Sequence, residues 1–255
     1  MKTMPLYDFK SVDIASQLTL IDILLFKRIL PKELLNQNWL KEKQAQSAPN
    51  VYSMIQRFNM VAHYTVFQIV NKEDVKERAS VIQKFIKIAQ ECRIMCNFNS
   101  MTAIISGLES KEVYRLSKTW TLIPTSLMST FNELKEFASH KKNYSVFRQE
   151  IKTLLDTDKP FVPYLGIYLT DLTFIEDGNK DMVDGKINFT KRILLASVIK
   201  EIQQIQKNTD DYHLNDIPEL RERLTTLSFI EQDELYKLSI KAEPLKEMKK
   251  KREKQ

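Results

Sequence analysis

Apolar residues recur along most of this chain at three- and four-residue intervals, the spacing that lines one face of an α-helix. Ser11 to Leu30 carries Leu20, Ile21, Ile23, Leu24, Leu25, Phe26, Ile29 and Leu30, too apolar for a surface helix, with Thr19 and Asp22 in capping-box-like positions. Pro31 ends that helix and begins a second, to about Leu40, bearing Leu34, Leu35 and Trp39. A polar linker, Lys41 to Pro49, leads to a long helix that Asn50 can cap, with Val51, Met54, Ile55, Phe58, Val61, Ala62 and Ile69 on its face. Past a charged connector, Asn71 to Glu77, the period returns in Val81, Ile82, Phe85, Ile88, Ala89 and Cys92. Asn97-Phe98-Asn99-Ser100 interrupts it with residues that favour caps and turns, before Met101, Ile104, Ile105 and Leu108 resume it. Further helices are predicted from Thr125 through Phe137, over Tyr144 to Leu155, over Pro218 to Leu227 and over Leu235 to Pro244.

One stretch departs from this pattern. Val162 to Asn179 enters on an apolar, proline-marked segment, runs through Thr173, Phe174 and Ile175 into adjacent carboxylates Glu176 and Asp177, and stops at Gly178-Asn179. Both of those last residues tolerate the left-handed conformation that terminates helices. A polar loop, Lys180 to Lys186, follows, and Asn188 can cap a second helix to about Gln206 along Leu195, Val198, Ile199, Ile202 and Ile205. The unit predicts a helical hairpin over about 164–206. An apolar ridge ending in uncompensated carboxylates is poor core material, because burying unpaired charge is costly. It suits a wedge that works on another molecule; the alternative is that Phe174 and Ile175 are core residues and the acids sit in solvent at a helix end.

Composition agrees with one all-α domain. Four Gly and eight Pro in 255 residues leave little for the tight turns of a β fold, and no repeat or long linker divides the chain. No run of apolar residues is long enough for a membrane span, and the first ten residues lack the apolar centre of a signal peptide, so a cytoplasmic protein is expected. Of the net charge of +6, +4 falls between Lys241 and Gln255. Basicity therefore belongs to a solvated tail, 245–255, and argues for no nucleic acid partner, leaving at most a weak membrane-surface or partner contact. Cys92 and Cys96 lie four apart, on one predicted helix face, and His63, His140 and His213 have no ligand spacing, so free buried thiols and no metal site are expected. Gly178 to Lys186 fails as a phosphate loop, since six residues separate its glycines and Ile187 follows the lysine. No cofactor, hydrolytic or metal chemistry has a visible home.

In family order, the blocks Gln17-Leu18-Thr19 with Phe26, Pro49-Asn50-Val51 with Arg57-Phe58-Asn59, Asn97 to Ser100 through Gly107-Leu108, Arg115-Leu116 with Thr119-Trp120, Asn143-Tyr144, Val162 to Gly166 through Gly178-Asn179, Ile187-Asn188-Phe189, Leu238-Ser239 and Glu243-Pro244 resemble the catalytic domain of Ras-family guanine nucleotide exchange factors, the RasGEF domain. The resemblance covers about 11–244, leaving 1–10 as an N-terminal extension. It implies a single helical domain with a protruding hairpin that inserts beside the first switch of a small GTPase (Ras, Rap or Ral) and disrupts its magnesium and phosphate site. Such a factor binds the nucleotide-free GTPase tightest and makes no covalent change. It also implies recruitment to the inner face of a membrane. Thr173 and Asp177 match the positions that intrude on the nucleotide site, where familiar members often carry leucine and glutamate, and Glu176 is a possible substitute for Asp177. Tyr164, Gly166, Thr170 and Phe174 match hairpin positions at the GTPase. Thr102, Ser106, Glu109, Asn143 and Tyr144 match a surface for the second switch. Asn97, Asn99, Arg115 and Trp120 are expected to hold loops. A non-catalytic GTPase-binding module is the alternative.

Overall fold

A computed structural model describes residues 8–227 and 230–244, so the basic tail lies outside the described residues, as does most of the N-terminal extension. The helices, in order, are α1 (Ser11–Phe26), α2 (Gln44–Ser47), α3 (Pro49–Val70), α4 (Val75–Ile94), α5 (Phe98–Glu109), α6 (Lys111–Tyr114), α7 (Ser117–Trp120), α8 (Thr125–Phe137), α9 (Ser145–Asp156), α10 (Leu165–Gly178), α11 (Phe189–Asn208), α12 (Pro218–Thr225) and α13 (Gln232–Ala242). Helices α3, α4 and α5 pack on one another, α1 lies against all three, α8 covers α4, and α13 lies on α3 and α6. Aromatic rings fill the seam behind α5, where Phe98 meets Phe137, Phe147 and Phe161 at centroid distances of 5.4, 4.9 and 6.2 Å. The chain is all-α, as the apolar period predicts, with a single two-stranded ribbon among the described residues.

Several expectations are corrected where long-range contacts replace local ones. Thr19 and Asp22 do not cap a helix; they lie inside α1 and are buried. The Asp22 carboxylate accepts from Ser100 Oγ at 2.5 Å, Asn97 Nδ2 at 3.0 Å and Asn99 Nδ2 at 3.3 Å, and faces Arg57 Nε at 3.6 Å. Burial depresses the Arg57 guanidinium below its usual value, and Asp22 acts against that shift. Asn97 and Asn99 therefore hold the body together, while Arg115 donates to the Ser239 and Glu243 carbonyls and Trp120 Nε1 to Val113 O.

The segment expected as a helix over Pro31–Leu40 forms two 3-10 turns, Pro31–Leu34 and Asn38–Leu40, and α1 stops at Phe26. Nor is Asn50 the cap of α3. Glu33, fully buried, reaches across from the first 3-10 turn and accepts from Asn50 N at 2.7 Å and Val51 N at 3.1 Å, satisfying free amides of the helix start. Cys96 is not on a helix face with Cys92, since α4 ends at Ile94 and Cys96 has φ 55°. Asn97 N donates to Cys92 O and Cys96 N to Arg93 O, the Schellman ending with cysteine where glycine is usual. Both thiols are free; Cys92 is buried and Cys96 half-buried, and burial pushes both thiol pKa values up.

At the end of α10, Asn179 is extended rather than left-handed, and its side-chain amide donates to Ile175 O at 3.0 Å. The loop that follows is ordered as an antiparallel ribbon, Met182–Val183 with Lys186–Ile187, closed by Asp184 (φ 50°) and Gly185 (φ 72°). Positive φ at both central residues gives the mirror-image turn that matches strand twist, and an Asp-Gly pair is its sequence signal.

Candidate functional site

Helices α10 and α11 pack chiefly on each other, so the predicted hairpin exists. Its root is fixed by backbone. Val162 N donates to Cys96 O at 3.0 Å and Phe98 N to Val162 O at 2.9 Å, which joins the entry segment to the turn that starts α5. Tyr164 then begins α10 with its ring 5.2 Å from that of Phe58 and 6.3 Å from that of Tyr144. A Cβ at Gly166 would stand 2.5 Å from the Tyr164 ring and hydroxyl, so any larger residue there has to move that ring from its present place. Burial, then the neighbouring Tyr144, raises the Tyr164 phenol above its usual value. Along the second arm Leu195, Ile202 and Ile205 are buried, while Val198 and Ile199 are half-buried against the core.

The far end differs from the expected pair of free acids. Glu176 pairs with Lys191 Nζ at 2.6 Å, both side chains nearly buried, and it also accepts from Asn36 N at 3.1 Å. Lys191 further contacts Asp181 at 3.1 Å and donates to the Glu176 carbonyl at 3.2 Å. Burial opposes the Lys191 charge, yet the bonds to Glu176 and Asp181 outweigh it and hold the ammonium above its usual value. Asp177 is exposed and accepts from Gln37 Nε2 at 2.7 Å. Asn36 and Gln37 both have positive φ, 52° and 51°, so a left-handed turn of the body touches both carboxylates. The Glu176 charge is thus compensated by Lys191, whereas Asp177 stays exposed and is met by the neutral amide of Gln37.

Of the apolar ridge, Phe174 is 68% exposed, and Ile175 is half-buried against the core. Phe174 is therefore not core. Met182, Val183 and Ile187 of the ribbon and Phe189 and Ile193 at the start of α11 are exposed as well. Thr170 and Thr173 are half-buried, and their hydroxyls donate back to Gly166 O and Leu169 O at 2.8 Å each.

Thr102, Ser106 and Glu109 stand at four- and three-residue spacing on α5 and share one face of it. Ser106 is exposed and Thr102 is only 7% exposed, with its hydroxyl lacking a hydrogen-bond partner. Glu109 is engaged by Lys135 of α8 at 2.8 Å rather than by the hairpin. Asn143 and Tyr144 are brought to the hairpin. Tyr144 meets Tyr164, and Arg148 joins Asn143 to Asp171 of α10. Arg148, Asp171, Lys191, Asn36 and Gln37 are the residues that sequence reasoning missed. No local spacing marks them, because each acts on a partner distant in the chain; only the ribbon turn at Asp184-Gly185 had a local signal.

Among the described residues there is no group of three or more His, Cys, Asp or Glu able to hold a metal ion, and no helix long and apolar enough to cross a membrane.

Comparison with known proteins matches residues 13–193 to the RasGEF domain. The chain is 40% identical over 232 residues to Ras guanine nucleotide exchange factor R of Dictyostelium discoideum, covering 91% of this chain and 13% of that protein. It is 38% identical over 256 residues to Ras guanine nucleotide exchange factor A of the same organism, covering 94% and 41%. Against Ras-specific guanine nucleotide-releasing factor 1 of Rattus norvegicus it is 35% identical over 245 residues, covering 95% and 19%. The chain thus spans less than half the length of each of these relatives. With that match over most of its length, the chain belongs to the RasGEF domain family.

Proposed function

We propose that this chain stimulates GDP release from a Ras-family small GTPase, of the Ras, Rap or Ral type, by inserting the α10–α11 hairpin beside the first switch. The observation that carries this reading is the hairpin end, where exposed Phe174 stands three residues before an exposed carboxylate, Asp177, on a helix rooted by backbone hydrogen bonds in the body. Apolar surface supplies contact with a displaced switch. A carboxylate beside the magnesium and phosphate site repels the returning nucleotide. Both favour the empty GTPase over the loaded one, and that differential affinity is what drives release.

In this reading Thr173 and Asp177 intrude on the nucleotide site, and Phe174 and Thr170 contact the GTPase. Tyr164 and Gly166 set the root. Thr102, Ser106, Glu109, Asn143 and Tyr144 form the surface for the second switch. Glu176 is assigned to holding the hairpin together, because Lys191 occupies it. The relatives' names include Ras-specific factors, which favours Ras among the candidates.

Release of a fluorescent GDP analogue from a panel of Ras, Rap, Ral and Rho proteins tests the proposal. Acceleration of at least one of the first three is expected. A second reading, a module that binds GTPases without catalysis, draws on Thr173 and on the engagement of Asp177 by Gln37. Stable binding of nucleotide-free Ras with no acceleration of release would establish it instead.

A further inference from the structure

Lys142, Asn143 and Tyr144 have φ of 49°, 54° and 57°, three consecutive left-handed residues with no glycine among them. Each such residue is disfavoured by roughly 1–2 kcal/mol, and runs of them persist only where surrounding contacts over-determine the backbone. Here those contacts come mainly from one side chain. Arg148 Nε donates to Asn143 O at 2.9 Å and Nη2 to Asn143 Oδ1 at 3.3 Å. The same guanidinium grips Asp171 of α10 with both terminal nitrogens, each at 2.8 Å. Tyr144 is held from the other side by His140, whose Nδ1 lies 2.6 Å from its hydroxyl. One turn before Asp171, Tyr168 donates to Glu201 of α11 at 2.7 Å, so the two arms are tied at the same level.

We propose that Arg148 is a positioning residue that couples the Lys142–Tyr144 turn to the first arm of the hairpin, so that the two surfaces offered to the GTPase keep one fixed relation. The inference rests on the exchange reading and specifies how the wedge keeps its angle. Arginine is required because its planar fork of five donors serves two partners at once, which a lysine ammonium at the same place does not reproduce. Side-chain exposures of 34% for Arg148 and 23% for Asp171 make the pair a minor contributor to global stability. Its effect is on orientation. Coupling of this kind is reciprocal: a GTPase seated on the turn also narrows the positions open to the hairpin.

The test compares Arg148→Lys, which keeps the charge and loses the fork, with Asp171→Asn, which frees the hairpin but leaves the bonds to Asn143. Spin labels on Val183→Cys in the ribbon and exposed Ser126→Cys in α8, with Cys96→Ser to remove the half-buried thiol, report the distance from hairpin end to body. Both variants are expected to broaden the distance distribution while the melting temperature moves by no more than about 4 °C. In unlabelled proteins that carry only Arg148→Lys or only Asp171→Asn and keep Val183, kcat for nucleotide release is expected to fall about tenfold with KM within about twofold, because the α5 surface still binds the partner. Combining the two substitutions should give no further loss. An unchanged distance distribution in both variants overturns the proposal, and so does a broadened distribution with unchanged exchange. If the unsubstituted protein releases nucleotide from no GTPase, a broadened distribution still supports the positioning role and only the exchange reading falls.

Discussion

Lys191 Nζ lies 2.6 Å from the Glu176 carboxylate, and the two side chains are 3% and 9% exposed. This contact fastens the second arm of the hairpin to the first near its end. It separates two neighbouring acids that look equivalent in sequence: Glu176 is spent on the hairpin itself, and Asp177 alone faces outward.

Charge removal at these two positions should therefore give opposite outcomes. Asp177→Asn keeps shape and touches only an exposed bond to Gln37, so stability should hardly change, while exchange slows about tenfold for each ~1.4 kcal/mol of lost preference for the empty GTPase. Glu176→Gln leaves the buried Lys191 with Asp181 as its remaining carboxylate, and should lower stability by about 1–3 kcal/mol. Urea unfolding and nucleotide-release assays on both variants measure this. Severe loss of exchange with unchanged stability in Glu176→Gln would transfer the intruding role to Glu176.

Packing along α11 predicts a graded result. Ile202 is 1% exposed and Ile199 is half-buried, so Ile202→Ala should cost about 2–5 kcal/mol and Ile199→Ala clearly less. Equal losses in denaturant unfolding would contradict the packing described.

Asp22 collects three hydrogen bonds and the Arg57 charge inside the body. An amide at this position would present donors to Asn97, Asn99 and Arg57, and would leave the guanidinium without its counter-charge. Asp22→Asn should cost about 3–5 kcal/mol, the range for breaking a buried pair. A midpoint of urea unfolding equal to that of the unsubstituted protein would refute it.

Asp181 provides a pH test. Its hydrogen bond to Lys191, with further help from Arg192, holds its carboxyl below the ordinary value of about 3.9. A depressed folded pKa means the contribution is fully present above the unfolded value and is lost as pH falls through the folded one. Titration of the Asp181 carboxyl carbon by nuclear magnetic resonance should show a midpoint below that of an unfolded peptide, and Lys191→Met should move it upward. No upward movement would remove Lys191 as the cause.

The sequence by itself determined the helical class, the longer helices of the body and the existence of the hairpin, because each follows from interactions between residues three or four apart; the 3-10 turns in place of a Pro31–Leu40 helix were not legible. Val51 to Ile69, Val81 to Cys92 and Leu195 to Ile205 announce their faces without reference to anything distant. Asn188 as a cap is likewise local, and its side chain does accept from Lys191 N. The tertiary structure alone decided which polar groups distant in the chain are paired. Glu33 caps a helix 17 residues away, Asp22 meets residues 75 to 78 positions on, Asn36 and Gln37 reach acids 140 positions on, and Arg148 grips an aspartate 23 positions on. Charge in one stretch of chain carries no mark of the partner that folding will bring to it. An isolated reading therefore counts Glu176 and Asp177 as two free carboxylates, and only the approach of α11 and of a left-handed turn makes one a clasp and leaves the other exposed.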